Sequence, residues 1–172
     1  MLTVPRLLGI RILSKRCAYS TDTKNLGLET KAGRMSFSLP FKYISAEQLA
    51  EIIKAKPAET LKDFVVVDVR DSDFVGGNIV SALNYPSDRF HATVDELVEK
   101  LEKVPKVVFH CYLSQARGPK AARIYSETRN HRYPNPSTPQ EIFVLRDGFS
   151  GFQARYRDDP ELIEKFNKYY HD

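Results

Sequence analysis

The chain has 172 residues, 42% of them hydrophobic and ten of them Phe, which is enough apolar surface for one core with flanking extensions. Two cysteines and four scattered histidines form no metal-ligand pattern, and no apolar run approaches the ~20 residues of a membrane span, so neither a bound metal nor a membrane span is expected. Four of the 26 basic residues (Arg6, Arg11, Lys15 and Arg16) precede the first acid, Asp22, and the other 22 balance 22 acidic residues, so the net +4 is no nucleic-acid footprint.

Residues 1–21 mix Leu2, Val4, Leu7, Leu8, Ile10, Ile12 and Leu13 with those four bases and hold no acid. That is the composition of a mitochondrial presequence, with an inert tail as the alternative. Residues 22–40 read as a linker. Met35 is the only internal methionine, and a start there would make a leaderless protein of the cytoplasm and nucleus. Mitochondrial targeting is therefore the expectation if residues 1–21 are used. Cys17 falls in this leader, so a structural disulfide to Cys111 is not expected.

The domain proper spans residues 41–157. Phe41-Lys-Tyr-Ile is a short strand, and Ser45 with Gln48 forms a capping box for a helix that Pro57 ends. Phe64 to Arg70 is a near-continuous apolar run, the pattern of a strand buried on both faces of a parallel sheet. Gly76-Gly77-Asn78-Ile79 and Ala82 to Pro86 follow. Val94 to Val104 carries Val94, Leu97, Val98 and Leu101 on one helical face, with Thr93 as its cap. Val107-Val-Phe-His is a second buried strand, and Gly118-Pro119 opens another helix. Arg129 to Gln140, with three prolines, reads as an exposed loop, Glu141 to Leu145 as a last strand and Arg146 to Phe152 as a turn into a helix. Residues 158–172 are expected to form a C-terminal helix, centred on Pro160 to Tyr170. Strands alternating with helices predict an α/β domain with a central parallel sheet and helices on both faces. Ligands of such sheets bind beyond the carboxyl ends of the strands, which is where Cys111 falls.

Cys111, five residues and Arg117 lie between that second strand and the helix. If those five residues curl over the helix N-terminus, their N–H groups make an anion cradle, with Cys111 at its base and Arg117 at its rim. A planar guanidinium binds two oxygens of a tetrahedral oxyanion at once. A free cysteine is only a few per cent ionised at neutral pH, and positive sites of this kind bring its pKa from about 8.5 to between about 3.5 and 7.5.

His110-Cys-x-x-Ser-x-x-Arg-Gly-Pro resembles the signature of cysteine-dependent phosphatases of the cell-cycle dual-specificity type. It is also similar to that of their small fungal and plant relatives, some of which reduce arsenate. The span Val66 to Asn84 resembles a rhodanese signature at Asp68, Arg70, Asp73, Phe74, Gly76, Gly77, Ile79, Ala82 and Asn84, with Asn78 in place of the usual His. Leu145 to Phe152 resembles a second signature, with Asp147 where a Gly is usual and Phe152 as the aromatic. The resemblance implies a single rhodanese-like domain. It also implies a phosphatase acting on phosphotyrosine, or on both phosphotyrosine and phosphoserine/threonine, in a phosphoprotein substrate. Sulfurtransferases of this fold have a loop one residue shorter, which leaves sulfur transfer a minor alternative.

The candidate catalytic residues are Cys111 as nucleophile and Arg117 as oxyanion clamp. Tyr112, Leu113, Ser114, Gln115, Ala116 and Arg117 are the candidate substrate-binding loop. Tyr112 and Leu113 are expected to face out and shape the entrance. Ser114 is either a donor to the thiolate or anion, or an ordinary loop serine. His110 is either a packed residue or a support that bonds loop carbonyls. Asp68 is expected to be a buried carboxylate paired with a base, a better fit than general acid, because an acid must reach the leaving oxygen. The general acid stays open among Asp71, Asp73, another group or the substrate's own proton, since the loop itself has no carboxylate. The principal alternative is arsenate reduction, which would need glutathione or a glutaredoxin because no resolving cysteine lies in the domain. A non-catalytic phosphopeptide-binding module is a third reading. No cofactor is expected for the phosphatase, and the protein is expected to act as a monomer.

Overall fold

The computed structural model describes residues 38–55, 59–136 and 138–171. The candidate presequence, Cys17, Met35, Pro57 and all but the last three residues of the 22–40 linker lie outside them. In chain order the elements are β1 (Lys42–Ile44), α1 (Ala46–Lys54), β2 (Val65–Asp68), β3 (Asn78–Ile79), β4 (Leu83–Asn84), α2 (Phe90–Lys100), β5 (Lys106–His110), α3 (Arg117–Arg132), β6 (Glu141–Leu145), α4 (Gly148–Tyr156) and β7 (Ile163–Glu164). Five strands form one parallel sheet in the order β1-β6-β5-β2-β4. The two apolar runs are its middle strand β5 and the neighbouring β2.

Alternation along those runs divides the core into two layers. Val65, Val67, Val107 and Phe109 face α2 and α3, where they meet Phe90, Val94, Leu97, Ala122 and Tyr125. Val66 and Val108 face the other way, onto Leu49 of α1 and Phe149 and Phe152 of α4. Both faces of the central strands are thus covered, which is why their sequence does not alternate with polar residues. The capping box at α1 is complete: the Ser45 hydroxyl accepts from the Gln48 amide at 3.2 Å, and the Gln48 side chain accepts from the Ser45 amide at 3.0 Å.

Boundaries differ from the expected ones at both ends of α2, at the end of α3 and in the C-terminal segment, each for a local reason; α2 stops at Lys100 rather than Val104, where the chain turns and the Val104 amide donates to the Leu101 carbonyl at 3.1 Å. α2 begins at Phe90, so Thr93 is not its cap but an internal residue whose hydroxyl bonds back to the Arg89 carbonyl at 3.3 Å. Phe90 extends the apolar face by one more turn, four residues before Val94, and its ring meets Phe109 edge-on at 6.1 Å. α3 continues to Arg132, past the expected loop start at Arg129. The basic side chains of its last turn suit the negative end of the helix dipole, and buried Arg129 donates to the Thr138 carbonyl at 3.1 Å. The described part of the C-terminal segment, residues 158–171, does not form the expected helix. Ile163–Glu164 pairs antiparallel with Asn78–Ile79, and Lys168–Tyr170 is a single 3₁₀ turn. Pairing wins there because it buries Leu162 and Ile163 and gives Asn78 a partner, its amide donating to Glu164 Oε1 at 2.8 Å. Lys165 adopts φ +55°, which a continuous helix would not allow.

Phe90→Ala removes a ring that is 2% exposed between sheet and helix. Urea unfolding is expected to show a loss of about 3–5 kcal/mol, as for other buried aromatics truncated to Ala.

Candidate active site

The chain leaves β5 at His110, turns over the carboxyl edge of the sheet through residues 111–116 and enters α3 at Arg117. Cys111 is 4% exposed. Ser114 sits at φ +52°, a left-handed conformation uncommon for a non-glycine residue. That bend turns its amide onto the Cys111 sulfur at 3.2 Å, while its hydroxyl oxygen accepts from the Cys111 amide at 3.4 Å. The donor to sulfur is therefore the Ser114 main chain.

α4 grips the loop from beneath. The Phe149 amide donates to the Cys111 carbonyl and the Ser150 amide to the Tyr112 carbonyl, both at 2.9 Å. These are first-turn amides of a helix, which have no partner inside it, so helix end and loop satisfy each other. In a trans peptide the N–H points opposite the C=O, so the amides of Tyr112 and Leu113 are turned away from α4. Gly148 makes the grip possible. It lies at φ +55°, and a Cβ there would collide with the carbonyl oxygens of Cys111 and Tyr112. Asp147, at the position where related motifs carry Gly, also adopts a left-handed φ of +57°.

Behind the loop lies a fully buried polar cluster. Arg70 binds Asp68 through Nε and Nη2, the latter at 2.6 Å, and both side chains are wholly enclosed. The same guanidinium donates to the Asp73 and Gly77 carbonyls at 3.1 and 2.8 Å and lies 4.0 Å above the centre of the Phe149 ring. His110 Nδ1 is 3.3 Å from the Cys111 carbonyl, which can only accept, so the proton of that contact is on Nδ1. Its Nε2 lies 3.7 Å from Asp68 and makes no hydrogen bond within the described residues. Burial holds the imidazole below its ordinary pKa; Asp68 opposes this and Arg70 adds to it. A neutral His110 supports the loop and is a poor proton carrier near neutral pH.

The cleft above Cys111 has a volume of about 300 Å³ and is lined by Tyr112, Leu113, Gln115, Ala116, Arg117 and Asp73. Five of the six loop residues expected to touch substrate therefore face it, and Ser114 is buried behind them. Leu113 is exposed, and Tyr112 stacks on His171 with ring centres 6.1 Å apart. Arg117 is not an open clamp. Its Nη1 donates to Asp71 at 2.9 Å and to Asp73 at 2.8 Å, and its Nη2 to Asp73 at 2.6 Å. The hydrogen bonds to Asp73, then those to Asp71, raise the guanidinium's already high pKa further. Asp73 is lowered in turn, first by its bond to Arg117 and against partial burial. Burial pushes Asp71 up, but bonds from Ser87, Arg117 and the Asp88 amide outweigh it and leave the group below the usual carboxylate range. The Asp-x-Asp spacing after Arg70 was the available sequence signal for these partners. The contacts of Ser87 and His171 leave no local signal.

Residues 45–155 match the family described as rhodanese-like domain. Dual specificity phosphatase ibp1 of Schizosaccharomyces pombe is 35% identical over 135 residues, covering 71% of this chain and 95% of that protein. Arsenate reductase 2.1 of Oryza sativa subsp. japonica is 31% identical over 126 residues, covering 73% of this chain and 74% of that protein. The solved structure of Ygr203w, a yeast protein tyrosine phosphatase of the rhodanese family, superposes with a TM-score of 0.64 at 31% identity over 74% of this chain and 94% of that one.

Gly148→Ala tests the grip of α4. The left-handed backbone and the collision with two carbonyls are expected to cost on the order of 2 kcal/mol in thermal unfolding. Inorganic phosphate is expected to bind the variant more weakly than the wild type in titration calorimetry.

Proposed function

The chain belongs to the rhodanese-like domain family, and from that membership we propose that it is a protein phosphatase of the tyrosine or dual-specificity type, working through a cysteinyl-phosphate on Cys111. The observation that carries the reading is one arrangement. A buried cysteine with an amide on its sulfur lies at the floor of a cleft whose rim holds a guanidinium. The Cys111 thiolate attacks phosphorus in line with the leaving oxygen. The P–O bond breaks, the S–P bond forms and the leaving oxygen takes up a proton. Arg117 and the amides of Tyr112 and Leu113 face the equatorial oxygens as their charge develops. Water then attacks the phosphorus and gives up a proton, and the S–P bond breaks to return the thiolate and release phosphate.

A bound dianion competes with Asp71 and Asp73 for Arg117. Anion binding is thus an exchange of partners at the guanidinium, with little change in the number of its charge-assisted bonds. Tyr112 and Leu113 at the mouth are the side chains a phosphoprotein surface would meet first.

Similarity to the rice arsenate reductase supports a second activity at the same cradle. Arsenate is a tetrahedral oxyanion of the same charge class, and Cys111 would displace one of its oxygens as water to form an S–As(V) bond. Attack by glutathione would release arsenite and leave Cys111 joined to glutathione, the two thiols having supplied the two electrons. A second glutathione or a glutaredoxin would restore the thiol. An external thiol is needed because Cys111 is the free cysteine of the described residues and Cys17 is the one other cysteine in the sequence.

Cys111→Ser is expected to lower hydrolysis of an aryl phosphate by at least about 10³-fold, as removal of a nucleophile does in other covalent hydrolases. Rapid acid quench of the wild type is expected to show one added phosphoryl group on Cys111 by mass spectrometry. Equal activity in both proteins, with no adduct, would end the phosphatase reading.

A further inference from the structure

The loop from Cys111 to Arg117 contains no carboxyl group, so the proton for the leaving oxygen has to come from elsewhere on the cleft wall or from the substrate. Two acids are close, Asp71 and Asp73, and the structure separates them. Asp71 is anchored. The Ser87 hydroxyl donates to its two oxygens at 3.0 and 2.8 Å, and the Asp88 amide donates to it at 3.1 Å. If Arg117 left, Asp71 would keep these bonds, each of which favours its carboxylate form.

Asp73 is held differently. Its Oδ1 accepts from the Asp71 amide at 3.0 Å and from Arg117 Nη1 at 2.8 Å, and its Oδ2 accepts from Arg117 Nη2 at 2.6 Å. It also lines the Cys111 cleft, which Asp71 does not. Beyond it lies a second cleft of about 490 Å³, lined by Ser72, Asp73, Val75, Tyr112, Tyr170 and His171. Asp73 and Tyr112 are the residues common to both. A group departing from a phosphorus above Cys111 toward that second cleft passes Asp73.

We propose that Asp73 is the proton donor to the leaving oxygen, unmasked when the substrate anion draws Arg117 away from it. The assignment rests on the phosphatase reading above. In the free enzyme the guanidinium holds Asp73 ionised. Once Arg117 turns to the phosphoryl oxygens, Asp73 loses its cation and faces a dianion, and both changes favour the neutral acid. The charged and titratable groups around it are Arg117 from α3, Asp71 from its own turn, Cys111 and Tyr112 from the loop, and Tyr170 and His171 from the C-terminal segment. Arg70 fixes the position of Asp73 by donating to its carbonyl at 3.1 Å. The protonated carboxyl gives its proton to the leaving oxygen as the P–O bond breaks. As a carboxylate it then takes one proton from the water that attacks the cysteinyl-phosphate. The carboxyl takes its first proton from solvent as the substrate binds, ends each turnover protonated again, and gives that proton back to solvent when phosphate leaves and Arg117 returns.

The test is the dependence on leaving group of kcat/KM, which reports the first chemical step even when hydrolysis of the intermediate is slow. Phenyl phosphate needs its leaving oxygen protonated, whereas 4-nitrophenyl phosphate, with a more acidic phenol, needs it far less. Asp73→Asn is expected to lower kcat/KM by about 10²–10⁴-fold on phenyl phosphate and by less than about 10-fold on 4-nitrophenyl phosphate. Asp73→Glu is expected to recover part of the phenyl phosphate activity. Asp71→Asn, which disturbs Arg117 without removing the donor, is expected to lower both substrates by the same factor. Should Asp73→Asn fold poorly by circular dichroism, the wild type carries the test, with kcat/KM expected to fall only shallowly as the phenol becomes less acidic. Equal losses of Asp73→Asn on both substrates, or a steep decline across phenols in the wild type, would overturn the assignment and leave the phosphatase standing. A wild type that hydrolyses neither ester and forms no adduct on Cys111 would overturn both.

Discussion

One buried ion pair organises the functional end of this fold. Arg70 is 0% exposed, and it is paired with Asp68, which is equally enclosed. Removing either partner would strand a charge away from water, a change that typically costs about 3–5 kcal/mol. The guanidinium has more donors than Asp68 can use, and the surplus goes to the carbonyls of Asp73 and Gly77. Its flat face covers Phe149, the residue whose amide holds the Cys111 carbonyl. A single side chain thus connects the end of β2, the acidic turn and the underside of the nucleophile loop.

That connection explains why acid and base meet at the rim. The turn from Asp71 to Gly77 has no long regular element of its own, only one short 3₁₀ turn at Ser72–Phe74. Arg70 sets its path from inside, and Asp71 and Asp73 then project to Arg117 from outside. The result is a cation held between two acids at the rim of the Cys111 cleft.

Legibility in the sequence followed the range of the interactions. The two central strands were readable because burial on both faces imposes an apolar composition on every position. The capping box of α1 was readable because its partners are three residues apart. The Cys111 loop was readable because the residues that shape it, from the end of β5 to the start of α3, are consecutive in the sequence. Phe90 was missed as the true start of α2 because no side chain caps that helix and its anchor is a contact with Phe109, on another element. The end of the chain was misread because Leu162 and Ile163 satisfy a helical period as well as a strand, and only their pairing with Asn78 and Ile79 decides between them. The occupation of Arg117 by Asp71 and Asp73 spans more than forty positions and is a tertiary fact.

The margins of the sheet bear on how the protein behaves in company. At one side stands β4, two residues long, where the Asn84 side chain bonds back to the carbonyls of Asp68 and Arg70. At the other stands β1, three residues long, with exposed Lys42 paired to Glu141. Neither margin offers a row of free amides and carbonyls long enough to recruit a strand from a neighbouring molecule. Among the described residues the two most apolar strands lie inside these borders, β5 two places in from either side and β2 one place in from β4. In the native state they are shielded from the edge-to-edge stacking that seeds fibrils.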